Sequence, residues 1–525
     1  MQKPEQDINM IEEEKDITPF VTDVAGKAVL AVQKNNKTYR LDSLYDSTPV
    51  LDLWFKGLRD EWDLNSKLYM YGLGNGIFVR KFLQKARKDC SVVVHEPSYK
   101  IFKLVIEHFD LTDIFVDERV KLIFWPRFIG NAVKSVYEDT FSFTDITSLA
   151  GSSYPNYVQL FPKDSSSYVE GIERVKAFAS ANQTVNDFFG AYFCKNAFSN
   201  MSLIKDSFDI MKLAGIIPEG MTAIVVAAGP SLDKNIKEIA KAKGKSIIIS
   251  TDTALKPLSL AGIVPDITAV MDGKKDERYL SQEDSREVPI VCVPRAGTEF
   301  LHLHSGKKFF VNDFSEHINA FLKSVGSGLI KLDSGGSVAN ACFSIAVLFH
   351  CKTIILVGQD LAYTGNKTHS VVTVRGAKKT EIDELEHVVM DVDINGEPIR
   401  SSREFLLYKE WFESRINKYK DIEVIDATEG GIKIKGTKIM PLKEAIEKYC
   451  TREFDFSGKI KKAQPFLNDD IKQKYRQFVL KIPEQLKELR AIIRSTMVEY
   501  SSMRRMVQSN NYHNSQMKKR YDDIG

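Results

Sequence analysis

The sequence predicts an α/β protein with three parts. These are a Rossmann-like doubly wound central domain, a smaller Rossmann-like N-terminal domain and a helical C-terminal domain. Three observations carry that prediction. From residue 66 to 450, short apolar runs alternate with helical segments, the pattern of parallel sheets. Two of those runs exit directly into glycine turns, at Gly72 and at Gly229. The last stretch, 456–525, keeps a helical period and carries no strand-like run.

Bulk numbers agree. At roughly 100–200 residues per domain, the 525-residue chain predicts about three domains. Hydrophobic content of 43% and charged content of 27% suit a globular protein. A net charge of +3 lacks the strong basic bias of a nucleic-acid binder. The six cysteines are scattered, mostly in apolar runs, and none forms a C-x-x-C pair. Buried thiols are expected, with neither disulfides nor metal ligands. The polar N-terminus does not read as a signal peptide. No apolar run reaches about 18 residues, so no membrane span and a cytoplasmic location are expected.

The elements follow in order. Residues 1–65 form a charged tail and a hairpin, with Lys34-Asn35-Asn36-Lys37 as its turn. Residues 66–164 hold the strands "KLYMYGLG", "SVVVHEP" and "RVKLIFWP", with helices over "IFVRKFLQKAR" and "YKIFKLVIEHF". Residues 165–215 read as two bridging helices. Residues 216–455 form the largest block, with strands at "TAIVVAA", "SIIIST", "ITAVMD", "PIVCV", "KFFV", "TIILVG" and "EVIDAT". Residues 456–525 carry an apolar helical stripe interrupted by Pro483, with fifteen Lys/Arg against seven Asp/Glu counted over that stretch. This end reads as a solvated or oligomerising appendix, or as a basic docking surface for a protein acceptor.

Gly72-Leu73-Gly74-Asn75-Gly76 follows a strand, and Glu96 ends the next one. Such a turn can cradle a nucleotide or S-adenosylmethionine, with the acid about 20 residues on binding a ribose hydroxyl. The spacing is G-x-G-x-G, one residue short of the dinucleotide fingerprint. The alternative is a turn kept for tight strand–helix packing.

The central block is richer. Gly229-Pro230-Ser231 follows its strand directly. Glycine allows a sharp turn, proline stiffens it, and Ser231 is placed to cap a helix whose free N–H groups suit a phosphate. Asp252 and Thr253 follow the next strand, and Asp272 follows the one after. Ser334-Gly335-Gly336-Ser337 opens another helix and forms a second cradle. Gly358-Gln359-Asp360 ends a later strand, before a polar loop, "LAYTGNKTHS", that can act as a lid. His369 in that loop is the best-placed histidine for proton transfer near neutral pH. His302 and His304 in "FLHLH" alternate as on one strand face, but no further ligand spacing supports a metal.

In this order, "AAGPSL", "STDTALKPLSLAGIVPDITAVMD", "GGSVANACFSIA", "LVGQDLAYT" with its following histidine, and "DATEGGIKIKGT" resemble the Maf proteins, the motility-associated factors. The resemblance covers roughly residues 210–450, and the "YGLGNG…HEP" unit looks like that family's N-terminal domain. It implies a flagellin glycosyltransferase. Its donor would be a CMP-activated nonulosonic acid of pseudaminic or legionaminic type, and its acceptors Ser or Thr of flagellin. The family's central domain is similar to CMP-sialic-acid sialyltransferases. By that similarity, Gly229, Pro230, Ser231 and Ser334 to Ser337 would hold the nucleotide. Asp252, Thr253 and Asp272 would lie beside the donor, and Gly358, Gln359 and Asp360 would line the same pocket. His369 is the counterpart of the histidine base, by position, and Asp360 is grouped with it as catalytic. No cofactor or metal is required, although Asp252, Asp272 and Asp360 permit Mg2+. Flagellin is the expected partner, with no nucleic acid or membrane, and a homo-oligomer is compatible. The competing readings are an ATP-dependent pterin pyrophosphokinase, a noncatalytic flagellin chaperone, and a methyltransferase acting through Gly72 to Gly76 and Glu96.

Overall fold

The computed structural model describes residues 12–24, 26–58, 67–88, 90–124, 149–280, 282–312, 316–374 and 388–508. The chain divides into two compact units, Met1–Gly190 and Ala191–Gly525.

In the first unit, β1 (Ile17–Val24), β2 (Lys27–Lys34) and β3 (Lys37–Arg40) form an antiparallel sheet. Asn35 and Asn36 both have positive φ, 50° and 59°, which makes the turn where the sequence places it. β1 was not foreseen, because the stretch reads as part of a charged tail. A parallel sheet follows, built of β4 (Lys67–Tyr71), β5 (Ser91–Glu96), β6 (Val120–Phe124) and β7 (Leu149–Ser153). Its order is β6-β5-β4-β7, so the chain reverses direction across the sheet between β4 and β7.

The expected pair of bridging helices is one 43-residue helix, Pro162–Ile204, followed by a short turn of helix, Ile210–Ala214.

The second unit is built on eight strands, all joined in parallel. All seven strands expected in this block are present: β8 (Thr222–Val226), β9 (Ile247–Thr251), β10 (Ile267–Val270), β11 (Ile290–Cys292), β12 (Lys308–Phe310), β13 (Thr353–Val357) and, after the hairpin β14 (Val388–Val392) and β15 (Pro398–Ser402), β16 (Glu423–Asp426). A two-residue edge strand, β17 (Lys438–Ile439), completes the sheet. Both faces are covered, which is why these strands read as continuous apolar runs. Val225, Ile247, Ile249 and Leu356 face one core, whereas Ile224, Val226, Ile248 and Val357 face another. That is the period-2 alternation of a strand buried on both sides.

The sheet order is β12-β11-β10-β9-β8-β13-β16-β17. The chain starts at β8, steps outward to β12, then returns to lay β13 on the other side of β8. The switch point therefore lies between β8 and β13, the position where open α/β sheets bind ligands at their carboxyl edge.

At the C-terminus, the helix Asp469–Gln508 continues past Pro483. Proline there lacks the N–H that would bond the carbonyl of residue 479, and its ring crowds that carbonyl, at a cost of about 3 kcal/mol. No helix among the described residues is long and apolar enough to cross a membrane. Cys194 is exposed and the other five cysteines are buried.

Candidate functional site

The carboxyl edge of the large sheet gathers most of the expected residues. Gly229 follows β8 and Gly358 follows β13, and the Gly229 N–H donates to the Gly358 carbonyl at 2.9 Å. This joins the two loops across the switch point. A β-carbon on Gly229 would stand 2.1 Å from Asp360 Oδ2 and 2.4 Å from the Gly358 oxygen, so only glycine fits.

Asp360 fills the space that the sequence assigns to a ligand. It is 2% exposed. Its Oδ1 accepts from Ser231 Oγ at 2.6 Å, and the Ser231 N–H donates to Oδ2 at 3.1 Å. One expectation changes accordingly. Ser231 makes no side-chain cap, because its hydroxyl is turned to Asp360, and the helix it precedes spans only Leu232–Asn235. Both oxygens of Asp360 accept from Ser231, so the carboxylate holds the turn. Burial raises its pKa, against the hydrogen bonds from Ser231 that lower it.

Asp252, directly after β9, is likewise buried, and its Oδ1 lies 3.0 Å from Lys275 Nζ. Thr253 Oγ1 donates to the same oxygen at 3.1 Å and accepts from Lys275 at 3.0 Å. The ammonium also stands 3.8 Å from the centre of the Tyr279 ring. Asp252 Oδ2 has no hydrogen-bond partner among the described residues, nor has Gln359 Oε1. Buried acceptors of this kind call for a donor. Asp272 is half-buried after β10, where its Oδ1 accepts from the Lys274 N–H at 2.9 Å.

The second cradle is partly exposed, with Gly335 backed by Trp411, whose ring a β-carbon there would meet at 2.5 Å. Gly335 and Gly336 have φ of 53° and 88°, and Ser337 caps the eleven-residue helix Val338–Leu348 by accepting from the Asn340 N–H. Ser334 and Ser337 are half-buried and Gly336 is exposed. One turn into this helix, Cys342 Sγ donates to the Ser250 carbonyl at 3.4 Å, which ties the helix to the end of β9.

The loop bearing His369 is pinned to the first turn. The Ser370 N–H donates to the Ala228 carbonyl at 2.9 Å, and Ser370 Oγ donates to Asp233. At its other end, Tyr363 N–H bonds the Arg400 carbonyl and Ser401 Oγ bonds the Leu361 carbonyl, both on the β14–β15 hairpin. His369 itself is half-buried, with Nδ1 3.0 Å from Thr368 Oγ1.

Three contributors escaped the sequence reading. Lys275 lies in the charged run "GKKDE", which looks like solvent-exposed loop. The segment after β16 was quoted only as a motif, yet a β-carbon on Gly430 would meet Ser231 Oγ at 2.3 Å and one on Gly431 would meet the Asp360 backbone at 2.3 Å. Paired glycines at a strand exit were the available signal. Asp426, at the end of β16, is the third. Burial pushes its carboxyl up to about 6, aided by the nearby Asp360 charge and opposed by the bonds from Thr428.

That shift fixes a sign. The folded carboxyl holds its proton more tightly than the unfolded one, whose ordinary value is 3.8. Ionisation therefore disfavours folding as pH rises from about 4 through about 6, and the penalty is complete above that window. Asp426→Asn, which keeps the acceptor oxygen, is expected to gain stability relative to wild type across the same window. The gain should level off above about pH 7 at no more than about 3 kcal/mol. Urea unfolding of both proteins across pH checks this, and a gap that does not change with pH contradicts it.

The N-terminal glycine turn is closed. A β-carbon on Gly74 would lie 2.1 Å from the Tyr154 ring, and one on Gly72 would lie 2.6 Å from the Tyr157 ring. Glu96 Oε2 accepts from the Leu73 N–H and the Tyr157 hydroxyl, and Oε1 accepts from the Ser98 N–H. The glycines admit tyrosines, and the packing alternative describes this turn. His302 and His304 do not share a strand. His302 lies in the helix Thr298–Leu303, and His304 is buried with Nε2 2.7 Å from the Val288 carbonyl.

A family model described as "6-hydroxymethylpterin diphosphokinase MptE-like" matches residues 195–366. An uncharacterized protein of Treponema pallidum (strain Nichols) is 27% identical over 167 residues, covering 31% of this chain and 75% of that protein. A solved structure, described as the Maf glycosyltransferase from Magnetospirillum magneticum AMB-1, covers 88% of this chain and 73% of its own, at TM-score 0.49 and 15% identity. His369 lies three residues beyond the family match. The segment matched by this family model, residues 195–366, holds both glycine cradles, Asp252 and Asp360.

Proposed function

We propose that this chain is a protein O-glycosyltransferase. It would move a nonulosonic acid, of pseudaminic or legionaminic type, from its CMP-activated form to Ser or Thr of flagellin. The observation that carries the reading is the Ser370–Ala228 hydrogen bond. It ties a histidine-bearing loop to the turn that leaves β8 at the switch point.

The residues take roles accordingly. The Ser334–Ser337 turn and the helix it opens would face the donor phosphate, where unpaired N–H groups and the helix dipole favour an anion. Asp252 Oδ2 and Gln359 Oε1 would accept from the hydroxyl and amino groups of the cytidine. Gly229, Pro230, Ser231 and Gly358 shape the wall, Thr253 and Asp272 border the sugar, and Asp360 holds the turn as a positioning residue. His369 would take the proton of the acceptor hydroxyl as its oxygen bonds the anomeric carbon. The bond from that carbon to the phosphate oxygen breaks at the same time, and CMP leaves with the electron pair. The transition state resembles an oxocarbenium ion, and a phosphate leaving group needs no strong general acid. The protein supplies alignment and charge complementarity.

A second reading is favoured by the description of the matching family. In it the chain would transfer diphosphate from ATP to the hydroxyl of a pterin. That chemistry uses Mg2+ held by carboxylates. The carboxylates here fit such an ion poorly, because Asp252 is paired with Lys275 and both oxygens of Asp360 are bonded to Ser231. One experiment separates the readings. The purified chain is given either flagellin with the CMP-sugar, or the pterin alcohol with ATP and Mg2+, and both products are read by mass spectrometry. Sugar on flagellin supports the proposal. A pterin diphosphate with unmodified flagellin replaces it.

A further inference from the structure

The end of the strand after a glycine turn is where open α/β sheets place the acid that bonds a ribose hydroxyl. Each unit of this chain has a carboxylate there, Glu96 at the end of β5 and Asp252 directly after β9. They differ in what is left over. Both oxygens of Glu96 are taken, Oε2 by the Leu73 N–H and the Tyr157 hydroxyl, Oε1 by the Ser98 N–H. In Asp252 only Oδ1 is taken, and Oδ2 is buried with no hydrogen-bond partner among the described residues.

Lys275 sets that asymmetry. It reaches Asp252 from the loop after β10, and both side chains are buried. The ammonium lies 3.0 Å from Oδ1, donates to Thr253 Oγ1 at 3.0 Å, and has the Tyr279 ring 3.8 Å away on a further side. Thr253 in turn donates to Oδ1 at 3.1 Å. The lysine is fully engaged by these three neighbours. What it does is balance the charge of a buried carboxylate and hold one of its oxygens. The other oxygen remains as a lone acceptor, and buried acceptors are nearly always paired. A nucleotide is the donor that the surroundings suit. The helix Val338–Leu348, whose first turn is assigned to the donor phosphate, is tied to the end of β9 by the bond from Cys342 Sγ to the Ser250 carbonyl.

We propose that Lys275 is a positioning residue for ribose recognition. Acting through Asp252, it fixes Oδ2 as the acceptor of the 2′-hydroxyl of the bound nucleotide. This role rests on the site holding a nucleotide, as proposed above, and not on which base that nucleotide carries.

Isothermal titration of the full chain with CMP and 2′-deoxy-CMP, and with ATP and 2′-deoxy-ATP, gives the ratio of dissociation constants within each pair. Losing a hydrogen bond to a buried carboxylate should weaken the deoxy form by about 10- to 100-fold in the wild type. In Lys275→Met the carboxylate has lost its counter-charge and is free to turn, and the ratio should fall to within about threefold. Asp252→Asn, of nearly the same shape, should lower the ratio for a different reason. Lys275 and Thr253 hold the amide oxygen at the Oδ1 position, which puts an NH2 donor where the Oδ2 acceptor was. That variant decides the question if Lys275→Met does not fold. A lysine that merely braces the fold would weaken the ribo and deoxy forms together and leave the ratio unchanged. An unchanged ratio in either folded variant overturns the proposal, as does a wild-type ratio near one. A chain that binds ATP and not CMP overturns the CMP donor named above, and the ATP pair then decides the role of Lys275. Binding of neither nucleotide overturns both.

Discussion

Gly229→Ala is expected to destabilise the second unit severely. Its β-carbon would sit 2.1 Å from a carboxylate oxygen of Asp360 and 2.4 Å from the Gly358 carbonyl. The carbonyl cannot swing away, since it accepts the N–H of Gly229 itself. Nor can Asp360 leave without stranding the buried N–H and hydroxyl of Ser231, at about 1–3 kcal/mol for each group. A loss on the order of 3 kcal/mol or more follows, together with loss of activity. Gly57→Ala is the control, because nothing lies within 4 Å of its β-carbon, and it should change stability by less than about 1 kcal/mol. Thermal and urea unfolding of both variants measure this. A Gly229→Ala protein as stable as wild type would mean that the Asp360–Ser231 latch is not what holds the turn.

His369→Ala carries the second large effect, on rate rather than stability. The side chain is half-buried, and the Ser370 anchors next to it remain when it is removed. Removing a general base lowers kcat by about 10²- to 10⁴-fold. Donor affinity should hold, as no part of the nucleotide cradle is altered. Full activity in the variant, or lost CMP binding with it, removes His369 from the role of base.

The strands of the large sheet were legible because both their faces are buried, so each is an unbroken apolar run between turn residues. β7 was not, since "LAGSS" has no β-branched or aromatic residue and is a strand by virtue of pairing with β4. β17 is two residues long, and its ladder partner β16 defines it. The site divides in the same way. Glycine positions were visible at Gly72, Gly74, Gly229 and Gly335, and each marks a close approach. What approaches was hidden, because the neighbours come from far along the chain: Tyr154 and Tyr157 in the first unit, Asp360 in the second. A sequence shows that room was made, but long-range packing decides whether a side chain or a ligand takes it. Lys275 was hidden for another reason. Its burial arises from the return of the chain past Gly297, where a β-carbon would meet the Lys275 carbonyl at 2.0 Å.

The intact mass of flagellin, incubated with the purified chain and a CMP-activated nonulosonic acid, tests the proposed transfer most directly. The account predicts increments of one sugar residue on flagellin, with CMP released in equal amount and no increment when the CMP-sugar is left out. Flagellin that binds the chain but keeps its unmodified mass, with the CMP-sugar intact, would contradict it.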